Sequence, residues 1–474
     1  MGSLVVSTSQ TTTENLSSAD DDLLVTSSGS IIVTTGDGNV GIDSTANSQE
    51  ITINGLVYAA FDGTDVGVEI TDGLTALTVK GQVEGDAGVD VSQGVLDRIT
   101  VGNQGAVDGL ASNGVEFVGN FGHAAAADNS LTNSGYISGY IDGVLSEYGG
   151  GDAIDNSGQI SGEVGVYLDG NVATDIVENT GTITDDANDS VSGSAIFTAF
   201  SSAGIDVINS GTITDVGANA LNSGGAVLYF DDNSGKTSTI DNTGTISGLG
   251  YVIQSISDIL DISNSGMIHG SLYLKASNDV ITNSKAGAID GGITIAGGSD
   301  TITNAGDIDG AITFTGTGKT NSLTNSGEII GNLKFSSAHS TLANNGSITG
   351  DVFLAADGSL VNDGTIHGTL YAAASDVIDD GRGVVTGGVR AWSSDTFEYE
   401  GNFGDETIDK FIGGPGSTHD TIRFATNDFG SFAAVQSHMS QVGSDVVIRF
   451  DGTDTIMLAG VKLSSLVSAD FKFV

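Results

Sequence analysis

The chain lacks cysteine, contains a single proline and has few basic or aromatic residues. Its 474 residues include 14 Lys and Arg against 60 Asp and Glu, which gives a formal net charge of −46. The absence of cysteine excludes a disulfide framework. The shortage of basic residues excludes nucleic acid and disfavours anionic membranes as partners, because Lys and Arg carry the attraction to both. Aromatic residues make up 6% of the chain, which is low for a bulky globular core.

Two further absences concern membranes and export. The sequence has no apolar run of about 18 residues, so we expect no transmembrane segment. Met1-Gly2-Ser3 leads into a polar stretch, where a signal peptide would have a basic segment and then an apolar one. We therefore expect no cleavable signal peptide at the N-terminus.

Glycine is abundant, with 71 residues, and much of it belongs to a recurring motif. The motif is Asn-x-Gly-x-Ile/Val, stretched by two residues in one copy, and most copies follow one another after about 20 residues. Its asparagines from residue 133 onward are Asn133, Asn156, Asn179, Asn209, Asn242, Asn264, Asn283, Asn304, Asn325, Asn344 and Asn362. A similar motif starts earlier, at Asn103. A period of this length with strand-like content indicates a solenoid.

Apolar residues alternate within each period, as in Ile293 and Ile295. Period-two alternation predicts short strands, so the predicted fold class is all-β, a parallel β-helix of roughly 20-residue coils. Pro415 lies outside the repeats, as expected of a residue that cannot donate to a sheet. The alternative is a β-sandwich of hairpins, since an isolated Asn-x-Gly is also a hairpin turn.

In a β-helix the motif asparagines form a column at one corner. We expect their side chains to hydrogen-bond along the axis as an amide ladder, with Asn264 between Asn242 and Asn283. Asn tolerates the left-handed backbone region and Gly adopts it freely, so we expect that conformation at the corner.

Three segments are predicted. Residues 1–30 form an N-terminal arm or cap, and residues 31–387 form the β-helix, with insertions near 186–207 and 216–238. Residues 388–474 form a small β-rich C-terminal domain, which contains 6 of the 14 basic residues, the only Trp and a candidate helix at 429–443.

The last 80 or so residues resemble the C-terminal region of RTX proteins, which are exported by type I secretion. The matching stretches are "GDETIDKF" from Gly404, "HDTIRF" from His419, "SDVVIRFDGTDTIMLAGV" from Ser444 and the ending "ADFKFV". The resemblance implies an uncleaved C-terminal export signal, and hence a secreted, extracellular protein.

The same resemblance suggests calcium as a cofactor. The glycine-rich calcium-binding nonapeptide of RTX proteins is not repeated in tandem here, so calcium rolls are not expected. The family-matched candidate ligands are Asp405, Asp409, Asp420, Asp451 and Asp454. Each could instead cap a turn, as Asp commonly does.

No nucleophile elbow, phosphate-binding loop or dinucleotide fingerprint is present, and no aromatic subsite for sugar rings is evident. We therefore expect no enzymatic activity. The sequence favours a self-assembling structural cell-surface protein, a surface-layer or extracellular filament subunit whose main partner is itself and whose assembly depends on calcium. The alternatives are a monomeric adhesin or biofilm-matrix protein, with cell-surface polysaccharide as a further partner, and a β-helix polysaccharide lyase.

Overall fold

The computed structural model describes residues 2–19, 21–35, 38–60, 63–71, 75–92, 97–119, 128–185, 193–216, 226–231, 235–275, 278–316, 318–401 and 403–474. These residues form two compact units, Met1–Gly270 and Ser271–Val474. No helix in the described ranges is long and apolar enough to cross a membrane.

Each unit is built from coils of three short strands, here called A, B and C. In one coil, A is Ser130–Asn133, B is Tyr136–Gly139 and C is Asp142–Glu147, and the next A strand starts at Ala153. Each strand pairs in parallel with its equivalent one coil later, as Leu131 does with Ile154. The predicted parallel β-helix is thus confirmed.

The first unit contains the following strands. Ladder A consists of Gly2–Val6, Asp21–Val25, Glu50–Ile53, Ala76–Val79, Arg98–Val101, Ser130–Asn133, Ala153–Asn156, Asp175–Asn179, Ile205–Asn209, Thr237–Asn242 and Ile259–Asn264. Ladder B consists of Ser9–Gln10, Ser30–Val33, Leu56–Ala59, Gln82–Gly85, Ala106–Gly109, Tyr136–Gly139, Gln159–Gly162, Thr182–Asp185 and Thr212–Asp215. Ladder C consists of Glu14–Leu16, Val40–Ser44, Val66–Ile70, Ala87–Ser92, Val115–Val118, Asp142–Glu147, Val164–Asp169, Ser194–Ala199 and Leu228–Asp231. The long strand Thr245–Ser255 joins ladders B and C.

The second unit repeats this arrangement, and strand Met267–Leu274 contains the division between the units. Ladder A consists of Val280–Asn283, Thr301–Asn304, Ser322–Asn325, Thr341–Asn344, Ser359–Asn362, Val377–Asp379, Thr396–Tyr399, Thr421–Phe424 and Phe471–Phe473. Ladder B consists of Ala288–Asp290, Asp307–Asp309, Glu328–Ile330, Ser347–Ile348, Thr365–Ile366 and Val384–Val385. Ladder C, after Leu272–Leu274 of the shared strand, consists of Ile293–Ile295, Ile312–Phe314, Leu333–Phe335, Val352–Phe353, Leu370–Tyr371, Val389–Arg390, Asp405–Asp409 and Thr455–Ala459.

The core is a narrow apolar column inside each unit. Alternate residues of every strand point inward, so Leu131, Ile137 and Val144 of one coil are almost fully buried. Equivalent residues of the next coil lie about 4.8 Å further along the axis. Aliphatic side chains therefore stack on aliphatic side chains of the next coil, which explains why the core needs few aromatic residues.

The motif glycines are required for a reason that differs from our expectation. Gly327 and the other motif glycines do not have a positive φ, and neither do the motif asparagines. A Cβ atom on Gly327 would overlap the carbonyl oxygen of Gly306 in the preceding coil, and Gly266 meets Gly244 in the same way. The corner therefore selects glycine through close backbone approach, and the expected left-handed conformation was wrong.

The coils extend beyond the predicted boundaries of the β-helix. The first strand, Gly2–Val6, pairs in parallel with Asp21–Val25, so part of the expected arm at 1–30 belongs to the first coils. At the other boundary, strand Val389–Arg390 pairs with Leu370–Tyr371 and with Ile408 and Asp409. Residue 388 therefore does not end the ladders: the last copy of the Asn motif starts at Asn362, but inward apolar positions continue beyond residue 388, as at Val389 and Ile408.

The two predicted insertions lie partly in regular coils. Ser194–Ala199 pairs with Val164–Asp169, and Leu228–Asp231 continues the same ladder. Residues 186–192, 217–225 and 232–234 of the predicted insertions lie outside the described residues. The predicted insertions near 186–207 and 216–238 therefore stay a prediction.

Residues 425–454 and 460–470 depart from the coil pattern, whereas Thr455–Ala459 and Phe471–Phe473 belong to ladders C and A. The only α-helix among the described residues is Phe432–Ser437, within the predicted 429–443, and Met439–Val442 continues as a strand. Met439–Val442, Asp445–Arg449 and Thr455–Ala459 pair antiparallel. The 3₁₀ turns Leu463–Ser465 and Ser468–Asp470 precede the last strand.

Candidate functional site

The motif asparagines form amide ladders at the corner between strands A and B, here called the downstream corner. In the first unit the Nδ2 atoms of Asn133, Asn156, Asn179, Asn209 and Asn242 each donate 2.8 Å to Oδ1 of the next asparagine, ending at Asn264. In the second unit Asn283, Asn304, Asn325 and Asn344 donate over 2.8–2.9 Å, ending at Asn362. The step from Asn264 to Asn283 stays a prediction, because it leads from one unit to the other.

The hydrogen-bonding capacity of these amides is used within the coils. Asn304 donates to Asn325 at 2.9 Å, to the Glu328 carbonyl at 3.1 Å and to the Gly306 carbonyl at 3.0 Å, and it is fully buried. Such a group has nothing to offer a ligand, so the ladder is a structural element. Asn103 does not belong to it, because Val101 pairs with Asn133.

A second column, which the sequence analysis missed, borders strand A on its other side, at the upstream corner. At this corner, main-chain N–H groups of the column residues donate hydrogen bonds to side chains of the equivalent residues one coil later. The Asp152 carboxylate accepts a 2.7 Å hydrogen bond from the main-chain N–H of Asn129. The main-chain N–H of Asp152 donates over 2.8 Å to the Asp175 carboxylate. In the second unit, Asp279 N–H donates to Asp300 and Asp300 N–H donates to Asn321, both at 3.0 Å.

A sequence signal for this column exists. An Asp, Asn or Ser stands four residues before most ladder asparagines, as Asp152 precedes Asn156 and Asp300 precedes Asn304. The residue type varies because any side-chain oxygen accepts the main-chain N–H. That variation in residue type hid the four-residue spacing from the sequence analysis.

Two of the five predicted calcium ligands are buried and hold the main chain. Asp420 accepts 3.0 Å from Asp395 N–H and 2.8 Å from Ile412 N–H, and it continues the upstream column. Asp454 accepts 2.7 Å from Gly404 N–H. Both therefore act as caps for neighbouring backbone.

The other three lie on the surface and are also engaged. Asp451 accepts from the N–H groups of Thr453 and Asp454 at 2.7 and 2.9 Å. Asp405 accepts from the Thr455 hydroxyl, and Asp409 lies 3.9 Å from Arg390. Among the residues that the structure describes, no group of three or more His, Cys, Asp or Glu could hold one metal ion. The five aspartates are thus not brought together into a single site.

The last amide of the second ladder meets a buried acidic pair. Asn362 Nδ2 donates 2.7 Å to Oδ1 of Asp380, and Glu406 and Tyr399 are buried beside it. Burial raises the pKa of Asp380, while burial and the neighbouring Asp380 raise the pKa of Glu406. Carboxyls thus replace amides at this end of the ladder.

On the outer face of ladder C in the first unit, acidic side chains of successive coils form a continuous column. Successive coils place Asp43, Glu69, Asp90 and Glu116 in register. Their carboxyls are about one coil apart, roughly 4.8 Å. Burial and the flanking carboxylates Glu116 and Glu69 raise the pKa of Asp90 to about 7.

The same column continues with aromatic side chains. After Leu145, the next coils carry Tyr167, Phe197 and Tyr229 in register. The Tyr167 and Phe197 rings are 5.0 Å apart at 61°, and the Phe197 and Tyr229 rings are stacked at 5.1 Å and 3°. These three rings form an aromatic column that the sequence analysis did not identify. The unequal spacing of these coils concealed its register.

No known protein-family model matches this chain, and no curated protein is similar to it at a significant level. The function must therefore be inferred from the described surfaces.

Proposed function

We propose that the protein is a secreted, self-assembling structural protein of the cell surface, a subunit of a surface layer or extracellular filament. The observation that carries the proposal is the stack of repeated parallel coils, in which the strand Gly2–Val6 pairs along one edge only among the described residues. The RTX-like C-terminal stretches support export.

Within the described residues, Gly2–Val6 pairs along one edge only, with Asp21–Val25. Thr26 N–H donates 2.9 Å to the Val6 carbonyl, so Val6 bonds to the second coil. Alternate residues of a parallel strand bond the same neighbour, so the N–H of Val5 faces the open edge. Val5 is 55% exposed. Open strand edges of this kind are templates for another strand.

The last strand, Phe471–Phe473, pairs with Thr421–Phe424 and is also in contact with the helix Phe432–Ser437. The ring centroids of Phe432 in the helix and Phe471 in the strand are 5.4 Å apart. Val435 of the helix is fully buried. Pairing between two open Gly2–Val6 edges joins identical surfaces, so it gives a closed, two-fold dimer. Extension beyond a dimer then requires contacts along the sides of the coils.

Calcium supplies those lateral contacts in this proposal. Copies with a formal charge of −46 repel one another, and calcium binds carboxylate oxygens from more than one chain. The ligands would be exposed carboxylates contributed by more than one copy.

The test combines electron microscopy with light scattering on purified protein. We expect ordered polymers with calcium and dimers with a chelator. Val5→Pro removes the outward N–H and should give monomers in chelator, because proline cannot pair at that edge. The matched control Val5→Thr keeps the N–H and should dimerise like the wild type.

The two contacts can fail separately. Wild-type protein that remains monomeric with and without calcium would overturn self-assembly altogether. Polymers that persist in chelator would overturn the role of calcium, and dimers of Val5→Pro would overturn the edge contact.

A further inference from the structure

The outer face of ladder C in the first unit has a feature that self-assembly does not use. A cavity of about 240 Å³ opens beside the aromatic column and is lined by Ile141, Asp142, Glu163, Val164, Tyr167 and Phe197. All lining residues belong to the first unit. We call the cavity and the rings of Tyr167, Phe197 and Tyr229 the aromatic groove.

Asp142 is the unusual residue in the groove. It is 4% exposed, and no hydrogen bond from another described residue reaches its carboxylate. Burial and the carboxylates Glu116 and Glu163 raise its pKa to about 7. Its carboxyl lines the cavity, so it can accept a hydrogen bond from a hydroxyl donor that enters the groove.

The aromatic column gives the groove its direction. The ring steps of 5.0 and 5.1 Å follow the coil repeat, which is close to the length of a pyranose unit in an extended glycan. Aromatic rings offer flat apolar surface at low entropic cost. A series of sugar rings, each with an apolar face and hydroxyl donors at its rim, complements both the aromatic column and Asp142.

The charge of the groove defines which glycans fit. Glu163 lines the cavity, Glu116 faces Asp142, and the acidic residues Asp43, Glu69, Asp90 and Glu116 continue the column. Carboxylated or sulfated sugars would be repelled. We propose that the aromatic groove binds a linear glycan without acidic groups, with its apolar side against the outward edges of the Tyr167, Phe197 and Tyr229 rings and a hydroxyl donating to Asp142.

The second unit offers a matched control surface. Phe353 and Tyr371 are also outward on ladder C and stacked at 4.6 Å and 7°. Their neighbours in the column are Lys334 and Arg390, both exposed. This pair has aromatic rings of similar geometry with basic flanks in place of acidic ones.

Titration calorimetry of the full chain with neutral linear oligosaccharides of increasing length tests the proposal. Affinity should rise with length until the groove is filled. Phe197→Ala should weaken binding about fivefold to tenfold, and Asp142→Asn by a similar factor, because it replaces a charge-assisted hydrogen bond with a weaker one. Phe353→Ala should bind like the wild type. Tyr229→Ala replaces Phe197→Ala if the circular dichroism spectrum shows that variant to be misfolded.

Several results would overturn the proposal. One is absence of binding to any neutral oligosaccharide at millimolar concentration, and another is equal affinity of Phe197→Ala and wild type. An equal loss in Phe353→Ala would also overturn it. Preference for an acidic oligosaccharide, or for a basic peptide that competes at the same residues, would assign the groove to a different ligand. None of these results bears on the Val5→Pro dimer test.

Discussion

The two corners that border strand A satisfy buried hydrogen-bonding groups with different side chains. The downstream corner is lined by Asn amides that bond to one another, as Asn304 does to Asn325. The upstream corner is lined mainly by Asp carboxylates that accept main-chain N–H groups, as Asp300 does from Asp279. Both columns are buried.

The difference lies in what each group can donate. An amide has donors and an acceptor, so it passes a hydrogen bond from coil to coil without a charge. A carboxylate only accepts, so it satisfies the main chain and retains a negative charge in a buried place. An amide ladder therefore stabilises the coils at any pH, whereas a carboxylate column with raised pKa values does so best when it is protonated.

The pKa values reflect this contrast. Burial raises the pKa of Asp300, Asp376 and Asp152 to about 6 and that of Asp395 to about 7. A raised carboxyl pKa in the folded state means that folding favours the protonated form. The contribution is complete below the unfolded pKa of about 4 and is lost as pH rises through 6 to 7. We expect the upstream corner to weaken the fold at alkaline pH.

The largest effect should follow from placing a carboxylate in the amide ladder. Asn304→Asp removes the donors to Asn325, Glu328 and Gly306. We expect a loss of about 2–4 kcal/mol in the free energy of unfolding at pH 8, measured by denaturant titration. The loss should be smaller at pH 4, where a protonated Asp can again donate.

The control for this variant is Asn345→Asp. Asn345 follows the ladder residue Asn344 but is exposed. The same change of charge there should leave the unfolding midpoint nearly unchanged. Equal losses in the two variants would show that added negative charge, and not the broken ladder, causes the effect.

The sequence was informative where one residue type is required and silent where several suffice. The downstream corner needs an amide and a glycine, so Asn264 and Gly266 recur in fixed order and predicted the β-helix. The upstream corner accepts Asp, Asn or Ser, as at Asp300, Asn321 and Ser340, and this variety conceals the repeat. Phe197 and Tyr229 became neighbours only once the register of ladder C was known.

A smaller effect should follow where the amide ladder passes into carboxyls. Asp380→Asn keeps the acceptor for Asn362 and adds a donor beside Glu406, while it removes one buried negative charge. Because the folded pKa of Asp380 is raised, the wild type loses stability as pH increases, and the variant should not. We expect a gain of about 1–2 kcal/mol at pH 8 and little change at pH 4.

Thermal unfolding at the two pH values measures this gain. Asp363→Asn is the matched control, because Asp363 is exposed next to Asn362 and its substitution removes the same charge from the surface. A gain of equal size in Asp363→Asn would assign the effect to net charge. A loss in Asp380→Asn at pH 8 would mean that the buried acidic pair is itself stabilising.

The smallest effect concerns a single position of the upstream corner. Asp300 accepts from Asp279 N–H through Oδ1, and no hydrogen bond from another described residue reaches its Oδ2. Asp300→Asn keeps the accepting oxygen and removes the charge, as in the natural neighbour Asn321. At pH 4 both forms are neutral and should unfold at similar temperatures. At pH 8 the wild type has lost the contribution that depends on a pKa of about 6, so the variant should unfold at the higher temperature. A variant that follows the pH profile of the wild type would show that Asp300 is not among the groups that weaken the fold, and that the contrast between the two corners does not extend to it.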